Sequence, residues 1–144
     1  MIASSDAGQL FRKVIGGHGE LRVEVISGAS AVVKSRATSP LKILVPRPRG
    51  PSVWAYLSSY GGGLVAGDQI QINLGLGEHA RCYLGTQAST KVYRNPGLRP
   101  CGHSLKAVLG EGSLLVLAPD RCRRFAAHST GRGRNSICNG KAVW

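Results

Sequence analysis

The residues with the clearest chemical potential lie in one glycine-rich segment, residues 59–68, which reads Ser-Tyr-Gly-Gly-Gly-Leu-Val-Ala-Gly-Asp. The spacing Gly61-x-Gly63-x-x-Ala66 matches a dinucleotide-binding pattern. That pattern binds a pyrophosphate only where a helix begins directly after the glycines. Here the glycines lead into residues 69–74, whose apolar and polar residues alternate as in a strand, and no Lys-Ser/Thr follows to form a P-loop. The segment therefore predicts a tight turn between strands and not a nucleotide site.

Asp68 ends this segment directly after Gly67. Consecutive glycines permit positive φ angles and a close approach of two chain segments. An aspartate beside a turn glycine most often accepts hydrogen bonds from nearby turn amides. We therefore expect Asp68 to cap the turn that precedes the next strand.

A second polar segment, residues 85–94, reads Gly-Thr-Gln-Ala-Ser-Thr-Lys-Val-Tyr-Arg. Ser89, Thr90 and Lys91 suit the outer face of a strand, where polar side chains contact solvent. Tyr93 and Arg94 suit packing and recognition at the surface. Neither segment, taken alone, identifies a reaction.

The four cysteines and four histidines define no metal site by their spacing. Cys82, Cys101, Cys122 and Cys138 include no Cys-x-x-Cys pair. Residues 101–103, Cys-Gly-His, could supply two ligands, but no second closely spaced pair completes a tetrahedral zinc site. Two disulfides would require an oxidising compartment, which nothing in the sequence indicates.

Eight short segments in which apolar residues alternate with polar ones, or dominate, predict β-strands. They are residues 21–26, 31–33, 41–45, 53–57, 69–74, 79–84, 104–109 and 113–117. Turn residues, chiefly glycine and proline, separate them at roughly ten-residue intervals. The sequence thus predicts an all-β fold with antiparallel or solenoid-like sheet layers.

Charge is distributed unevenly along the chain. The 144 residues contain 19 Lys and Arg and 7 Asp and Glu, a net charge of +12. Residues 1–120 hold 13 of the basic residues and all the acids, whereas residues 121–144 add six basic residues and no acid. A low-hydrophobicity segment of one charge sign predicts disorder. We therefore divide the chain into a β-domain, residues 1–120, and a basic tail, residues 121–144.

The two central segments together resemble the UreD (also called UreH) family of urease accessory proteins. The quoted motifs are GGGLVAGD and TQASTKVYR, separated by a strand-turn-strand of matching length. Two further stretches resemble the family: Pro-Leu-Lys at residues 40–42 and Leu-Val-Leu-Ala-Pro-Asp at residues 115–120. The resemblance covers about residues 18–120.

This resemblance implies a non-catalytic scaffold that assists nickel insertion into the urease apoprotein. It implies as partners the urease apoprotein and the accessory proteins F and G, of which G is a GTPase. It also implies that no cofactor is tightly bound and that nickel is in transit through an internal polar channel. Asp68 and Thr90 match family positions that are candidates for the channel, because a carboxylate oxygen releases a divalent cation faster than a thiolate. Lys91, Tyr93 and Arg94 are candidates for the channel or for a partner surface.

The family is longer than this chain, so the resemblance implies a C-terminally truncated product. One explanation is a frameshift after Asp120: codons for Asp-Pro-Val-Gln that lose one C would read Asp-Arg-Cys-Arg, as at residues 120–123. This hypothesis predicts that the genomic locus encodes a UreD-like continuation in another frame, which sequencing would detect.

Two other classes of function compete with this interpretation. A basic β-module could bind nucleic acid through the Arg-rich tail, but the aromatic residues are few and not interleaved with basic ones. An enzyme is disfavoured because no Ser-His-acid or paired-carboxylate pattern is present. No apolar run approaches the roughly 20 residues of a membrane span, and no signal sequence is evident, so we expect a cytoplasmic protein.

Overall fold

The computed structural model describes residues 16–93 and 101–120, together with two short strands at 123–124 and 141–143. The described part contains β-strands and one 3₁₀ turn, Tyr60–Gly62, and no α-helix. In chain order the strands are β1 Gly16–Ile26, β2 Ala29–Ala37, β3 Leu41–Leu44, β4 Val53–Ser59, β5 Gly63–Leu64, β6 Gln69–Leu76, β7 Arg81–Thr86, β8 Lys91–Val92, β9 Gly102–Leu109, β10 Leu114–Leu117, β11 Arg123–Arg124 and β12 Lys141–Val143.

The strands form three sheets, A, B and C. From β4 onward, successive strands belong to sheets B, C and A in turn. Sheet A has the order β12-β9-β6-β1-β2, sheet B the order β10-β7-β4-β3, and sheet C the order β11-β8-β5. Strands β4, β5 and β6 make a first coil, β7, β8 and β9 a second, and β10, β11 and β12 a third. Each strand pairs in parallel with its counterpart in the next coil. The predicted all-β fold is confirmed, and its solenoid-like form is the correct alternative.

Antiparallel pairing is confined, among the described strands, to β1 with β2 and β3 with β4. Ser27 and Gly28 connect β1 to β2 with φ angles of 51° and 83°, the two positive values that a type I′ hairpin turn requires. Strand β1 then lies parallel to β6, and β3 lies antiparallel to β4. These two hairpin strands, β1 and β3, therefore cover one end of the first coil in sheets A and B.

The core lies between sheets A and B because their alternating strands point apolar side chains inward. β6 shows this most clearly: Ile70, Ile72, Leu74 and Leu76 are each at most 4% exposed, and the polar residues Gln69, Gln71 and Asn73 between them are exposed. The main cluster joins residues of β1, β4, β6 and β7 with Ala80, which directly precedes β7. Its members are Leu21, Val23, Val53, Ala55, Leu74, Leu76, Ala80, Cys82 and Leu84. Burial of each large aliphatic side chain contributes about 1.5–3 kcal/mol.

A second cluster packs where sheet C meets the other two sheets. It consists of Leu41, Leu64, Ile70, Ile72, Val92 and Cys101. Leu64 and Val92, from the two-residue strands β5 and β8, are 1% and 2% exposed. These short strands therefore anchor the glycine-rich and hydroxyl-rich segments to the core.

Most of the predicted basic tail, residues 121–144, lies outside the described residues, so its disorder stays a prediction. Strands β11 and β12 fall within it. Arg94 also lies outside the described residues. In the part of the chain that the structure describes, no helix is long and apolar enough to span a membrane.

Candidate functional site: the corner between sheets B and C

The glycine-rich turn and the hydroxyl-rich segment lie side by side. β5 pairs in parallel with β8, matching Gly63 to Lys91 and Leu64 to Val92. Tyr93 donates its backbone N–H to the carbonyl of Leu64 at 3.0 Å and its hydroxyl to the carbonyl of Gly61 at 3.1 Å. The two motifs on which the family resemblance depends therefore form one structural unit.

Gly63 is the position where this unit requires a glycine. A Cβ there would collide with the carbonyl oxygen of Lys91 and would lie 2.7 Å from Cε2 of Tyr93. Gly61 differs, because its φ of 75° favours glycine although a Cβ there would meet nothing within 4 Å. The glycines thus serve a close chain approach and a left-handed turn, and the strand β5 that follows confirms that no nucleotide-binding helix is present.

Asp68 caps the turn before β6. Its Oδ2 accepts a hydrogen bond from the backbone N–H of Val65 at 2.9 Å, while its own N–H donates to the Val65 carbonyl at 3.1 Å. Gly67 takes φ 86° within this turn, and Asp68 is 6% exposed. The backbone carbonyl of Asp68 also accepts a hydrogen bond from Gly102 of the next coil at 2.9 Å. These contacts match the expected turn-capping role, and a role of Asp68 in nickel transit stays a prediction.

Thr90 contacts a residue that sequence reasoning had not selected, Asp120. The backbone N–H of Thr90 donates to Oδ1 of Asp120 at 3.1 Å, and the Thr90 hydroxyl donates to Oδ2. The hydroxyl of Thr86 lies 3.4 Å from Oδ1 of the same carboxylate. Thr86 ends β7 and Asp120 follows β10, so the carboxylate joins the corners of two successive coils between sheets B and C.

Two cavities open at this corner between the sheets. The larger, of about 300 Å³, includes Thr86, His103, Ser104 and Asp120 among its lining residues, with leucines from sheets A and B forming most of the rest. The smaller, of about 50 Å³, reaches Ser58, Ser59, Ser89 and Thr90. Both cavities are lined by Leu57, Ile72, Thr86 and His103.

These shared residues make the two cavities adjacent. The repeat of the coils explains why so many polar groups meet there. Ser58 and Ser59 belong to the first coil, Thr86, Ser89 and Thr90 to the second, and Asp120 to the third. Together they place hydroxyl, carboxylate and imidazole groups beside an otherwise apolar space.

No compact metal centre occurs in the part of the chain that the structure describes. Within residues 16–93 and 101–120, no group of three or more His, Cys, Asp and Glu side chains is arranged to hold a metal ion. Cys101 is 6% exposed in the second core cluster, and His103 contributes to the cavity walls instead. Within the described residues, the corner therefore holds separate oxygen and imidazole groups and no closed coordination site.

Lys91, Tyr93 and Asp68 are the other predicted site residues that the structure describes. They belong to the same unit as Thr90 but differ in their exposure to solvent. Lys91 is exposed on β8, and Tyr93 is partly buried against the glycine-rich turn. Asp68 is not among the residues that line either corner cavity. The structure thus brings Thr90 to the cavities and leaves Asp68 in its turn.

Asp120 and His103 are the site residues that sequence reasoning missed. A signal for Asp120 was present, because it ends the Leu-Val-Leu-Ala-Pro-Asp segment that resembles the family. The sequence indicated His103 only as a possible zinc ligand beside Cys101, and the stacking of β9 beside β6 brings it to the cavity instead.

Comparison with known proteins shows which family the chain belongs to. The sequence profile of the family described as UreD urease accessory protein matches residues 16–131. The chain belongs to the UreD family. The match contains both central motifs and Asp120, and it continues past the point where the sequence resemblance was expected to end.

Similar curated proteins carry the same description. The chain is 42% identical to a urease accessory protein UreD of Sorangium cellulosum over 110 residues, which is 76% of this chain and 35% of that protein. It is 42% identical to a UreD of Anaeromyxobacter sp. over 103 residues, covering 72% and 34% of the two chains. It is 39% identical to urease accessory protein D of Oryza sativa subsp. indica over 112 residues, covering 75% and 37%.

The chain therefore spans about a third of the length of these UreD relatives. They are named as accessory proteins and not as catalysts. None of these names supports the nucleic-acid alternative.

Proposed function

We propose that this UreD-family chain acts as a non-enzymatic chaperone and scaffold in the insertion of nickel into the urease apoprotein in the cytoplasm. Its proposed partners are the urease apoprotein and the accessory proteins F and G, with G acting as the GTPase. Nickel is the cargo of this assembly and not a tightly bound cofactor. The observation that carries the proposal is the family match over residues 16–131.

A second part of the proposal concerns the route of the cation. We propose that nickel passes through the two corner cavities, near Thr86, Thr90, His103 and Asp120. The chemistry of these groups supports it, because imidazole nitrogen and carboxylate oxygen both bind nickel, whereas a set of thiolates would hold it strongly. Asp68, 6% exposed in the neighbouring turn, is a candidate for a contact earlier on this route.

The first experiment tests the scaffold role by direct association. The 144-residue chain is mixed with purified urease apoprotein, alone and together with accessory proteins F and G, and complexes are separated by size. A version with a restored UreD-like C-terminal continuation is the matched comparison. Co-elution of the present chain with urease apoprotein is the expected result. Failure of both versions to bind urease apoprotein would contradict the proposed function.

A second experiment tests the cation route with paired acid-to-amide variants. Asp120→Asn removes the charge at the corner but retains an acceptor oxygen, and Glu111→Gln changes an exposed acid in the turn between β9 and β10. The nickel content of urease is measured after activation with each variant. We expect Asp120→Asn to lower nickel loading several-fold and Glu111→Gln to leave it unchanged. Equal loading with both variants, with urease binding intact, would remove the corner from the route while leaving the scaffold role in place.

A further inference from the structure

The outward side of sheet B is apolar and aromatic. We call it the aromatic face and define it by the outward-pointing large residues of β3, β4, β7 and β10: Leu44, Trp54, Tyr56, Tyr83, Leu114 and Val116. The register of the sheet places Tyr83 between Val116 on one side and Trp54 on the other, and pairs Leu44 with Tyr56. The aromatic face therefore contains residues from all three coils, on β4, β7 and β10, and from β3, which pairs with β4.

The centre of the aromatic face is a packed cluster of rings. The ring centroids of Trp54 and Tyr83 lie 4.8 Å apart, and Tyr56 meets Tyr83 edge-on at 6.0 Å. Tyr83 also covers Gly85, where an added Cβ would lie 3.2 Å from its ring. The rings therefore hold one another in fixed positions, which lowers the entropy lost when a partner binds them.

Four of these six side chains are exposed although they are large and apolar, and Tyr56 and Tyr83 are partly buried. Leu114 is 54% exposed, Trp54 47% and Val116 45%. Monomeric proteins rarely leave contiguous apolar side chains of this kind in water, and such patches mark interaction sites. Trp and Tyr are also among the residue types that are enriched in interface hot spots.

The outer face of sheet A, built by the same coils, has a different composition. It carries the ion pairs Arg22–Glu24 at 3.1 Å and Lys34–Glu20 at 2.9 Å. Exposed polar residues of β6 and β9 extend it, such as Asn73 and Lys106, and Val108 of β9 is an exposed apolar residue among them. A solvated outer face is therefore available to this fold, and the apolar character of the outer face of sheet B is not a consequence of the solenoid.

The charges around the aromatic face are mostly positive. The four strands of sheet B contain Lys42 and Arg81 and no acid, and the loop between β3 and β4 adds Arg47 and Arg49. The acids nearest in sequence are Glu78 and Glu111, which lie in the turns before β7 and β10, and Asp120, which follows β10 and lines the larger corner cavity. Lys42 stands over the ring of Tyr60 at 4.0 Å, at the end of the face opposite Arg81. A partner that presents carboxylates around an apolar centre would complement this arrangement.

We infer that the aromatic face is a docking surface for a protein whose contact region has an apolar side chain surrounded by carboxylates. Within the proposed function, which this inference extends, that protein is the urease apoprotein. The surface is distinct from the cation route, since the corner cavities open on the inward side of sheet B. A single-stranded nucleic acid fits less well, because the rings pack against one another and aliphatic side chains border them on both edges of the sheet.

The test measures the affinity of the full chain for urease apoprotein and its dependence on the aromatic face. Trp54→Ala should weaken binding at least tenfold, as expected for a central interface residue. Val116→Glu should weaken it by a similar factor, whereas Val116→Lys should weaken it less because it keeps the favourable sign of charge. Raising the salt concentration should reduce the difference between the two Val116 variants.

The matched control is Val108→Glu, which puts the same charge at a residue that is 63% exposed on β9 of sheet A. This variant should bind as the unmodified chain does. Far-ultraviolet circular dichroism of every variant separates loss of binding from loss of fold, and the Val116 pair provides the test if Trp54→Ala unfolds.

Four outcomes would overturn the inference. Binding that is unchanged in both Trp54→Ala and Val116→Glu would do so while leaving the proposed function in place. Binding that is equally weakened by Val116→Glu and Val108→Glu would show a general charge effect. Displacement of urease apoprotein by a single-stranded RNA oligonucleotide that protects Trp54 from quenching would assign the face to nucleic acid. If the unmodified chain does not bind urease apoprotein, the inference fails, and the proposed function fails with it if the version with the C-terminal continuation does not bind either.

Discussion

Thr90 and Asp120 are 30 positions apart in sequence, yet the N–H and the hydroxyl of Thr90 both donate to the carboxylate of Asp120. This pair fastens the segment before β8 to the segment after β10. Asp120 and Thr86 line the larger corner cavity, and Thr90 lines the smaller one. The same carboxylate therefore has a structural role and a position on the proposed cation route. Substitutions can separate the two roles.

Thr90→Val should destabilise the chain by about 1–2 kcal/mol, because it removes one hydrogen bond to a charged acceptor while keeping the side-chain shape. Thr90→Ser retains the hydroxyl and should cost less. Urea unfolding, monitored by tryptophan fluorescence, measures the free energy of unfolding of both variants. Equal stability of the Val and Ser variants would mean that the Thr90 hydroxyl does not contribute.

Gly63→Ala should be more harmful than Gly61→Ala, although both change one glycine of the same turn. The Cβ at Gly63 meets the Lys91 carbonyl and the Tyr93 ring, so that β5 must separate from β8, at a cost of about 2–3 kcal/mol. At Gly61 the cost is limited to the positive φ, about 1 kcal/mol. Thermal and urea unfolding of the two variants would check the order, and a larger effect at Gly61 would contradict the assigned contacts.

The strand positions could be predicted from sequence because alternation of apolar and polar residues reports burial directly. All eight predicted segments overlap strands, and β6 shows the pattern without a break. The parallel pairing could not be predicted in the same way, because alternation records which side of a strand is buried and not which strand lies beside it. The two-residue strands β5 and β8 were missed since they are too short to show a period.

The contacts between coils could not be predicted from the sequence either. Strands β4, β7 and β10 begin at residues 53, 81 and 114, so the coils are unequal in length and no repeat of fixed period marks them. Thr90 was selected from the family resemblance alone, and its partner Asp120 became evident only when the coils were stacked. The aromatic face has the same origin, because Trp54, Tyr83 and Val116 become neighbours only through the register of sheet B.

Cys82 should be inert in the folded chain. It is 2% exposed in the main core cluster, and burial raises the pKa of its thiol to about 11. At pH 8 the thiolate fraction is then on the order of 100-fold lower than for an exposed cysteine with a pKa of about 8.5. Alkylation with N-ethylmaleimide followed by peptide mass mapping should label Cys82 only after urea is added. Rapid labelling of the native chain would contradict its burial.

The same shift has a consequence for stability at high pH. Because the pKa of Cys82 is higher in the folded state than in the unfolded state, the protonated thiol's contribution is fully present below about pH 8.5 and is lost as the pH rises through about 11. The free energy of unfolding should therefore fall over this range. The free energy of unfolding of the Cys82→Ala variant should fall less steeply with pH. Identical slopes for the two proteins would exclude Cys82 as the cause.

Ser30 should be more important than an exposed serine because it connects sheets A and B. It is 5% exposed at the start of β2, where its hydroxyl oxygen accepts a hydrogen bond from the Arg81 N–H of β7 at 2.8 Å and its own N–H donates to the Pro51 carbonyl at 2.9 Å. Ser30→Ala leaves the Arg81 N–H without this acceptor and should cost about 1–2 kcal/mol. Ser35→Ala, at an exposed position of the same strand, should change stability by less than about 0.5 kcal/mol. Amide hydrogen exchange gives the local readout. The Arg81 N–H should exchange faster in Ser30→Ala and at its original rate in Ser35→Ala. Unchanged protection of this N–H in both variants would mean that Ser30 does not hold the two sheets together.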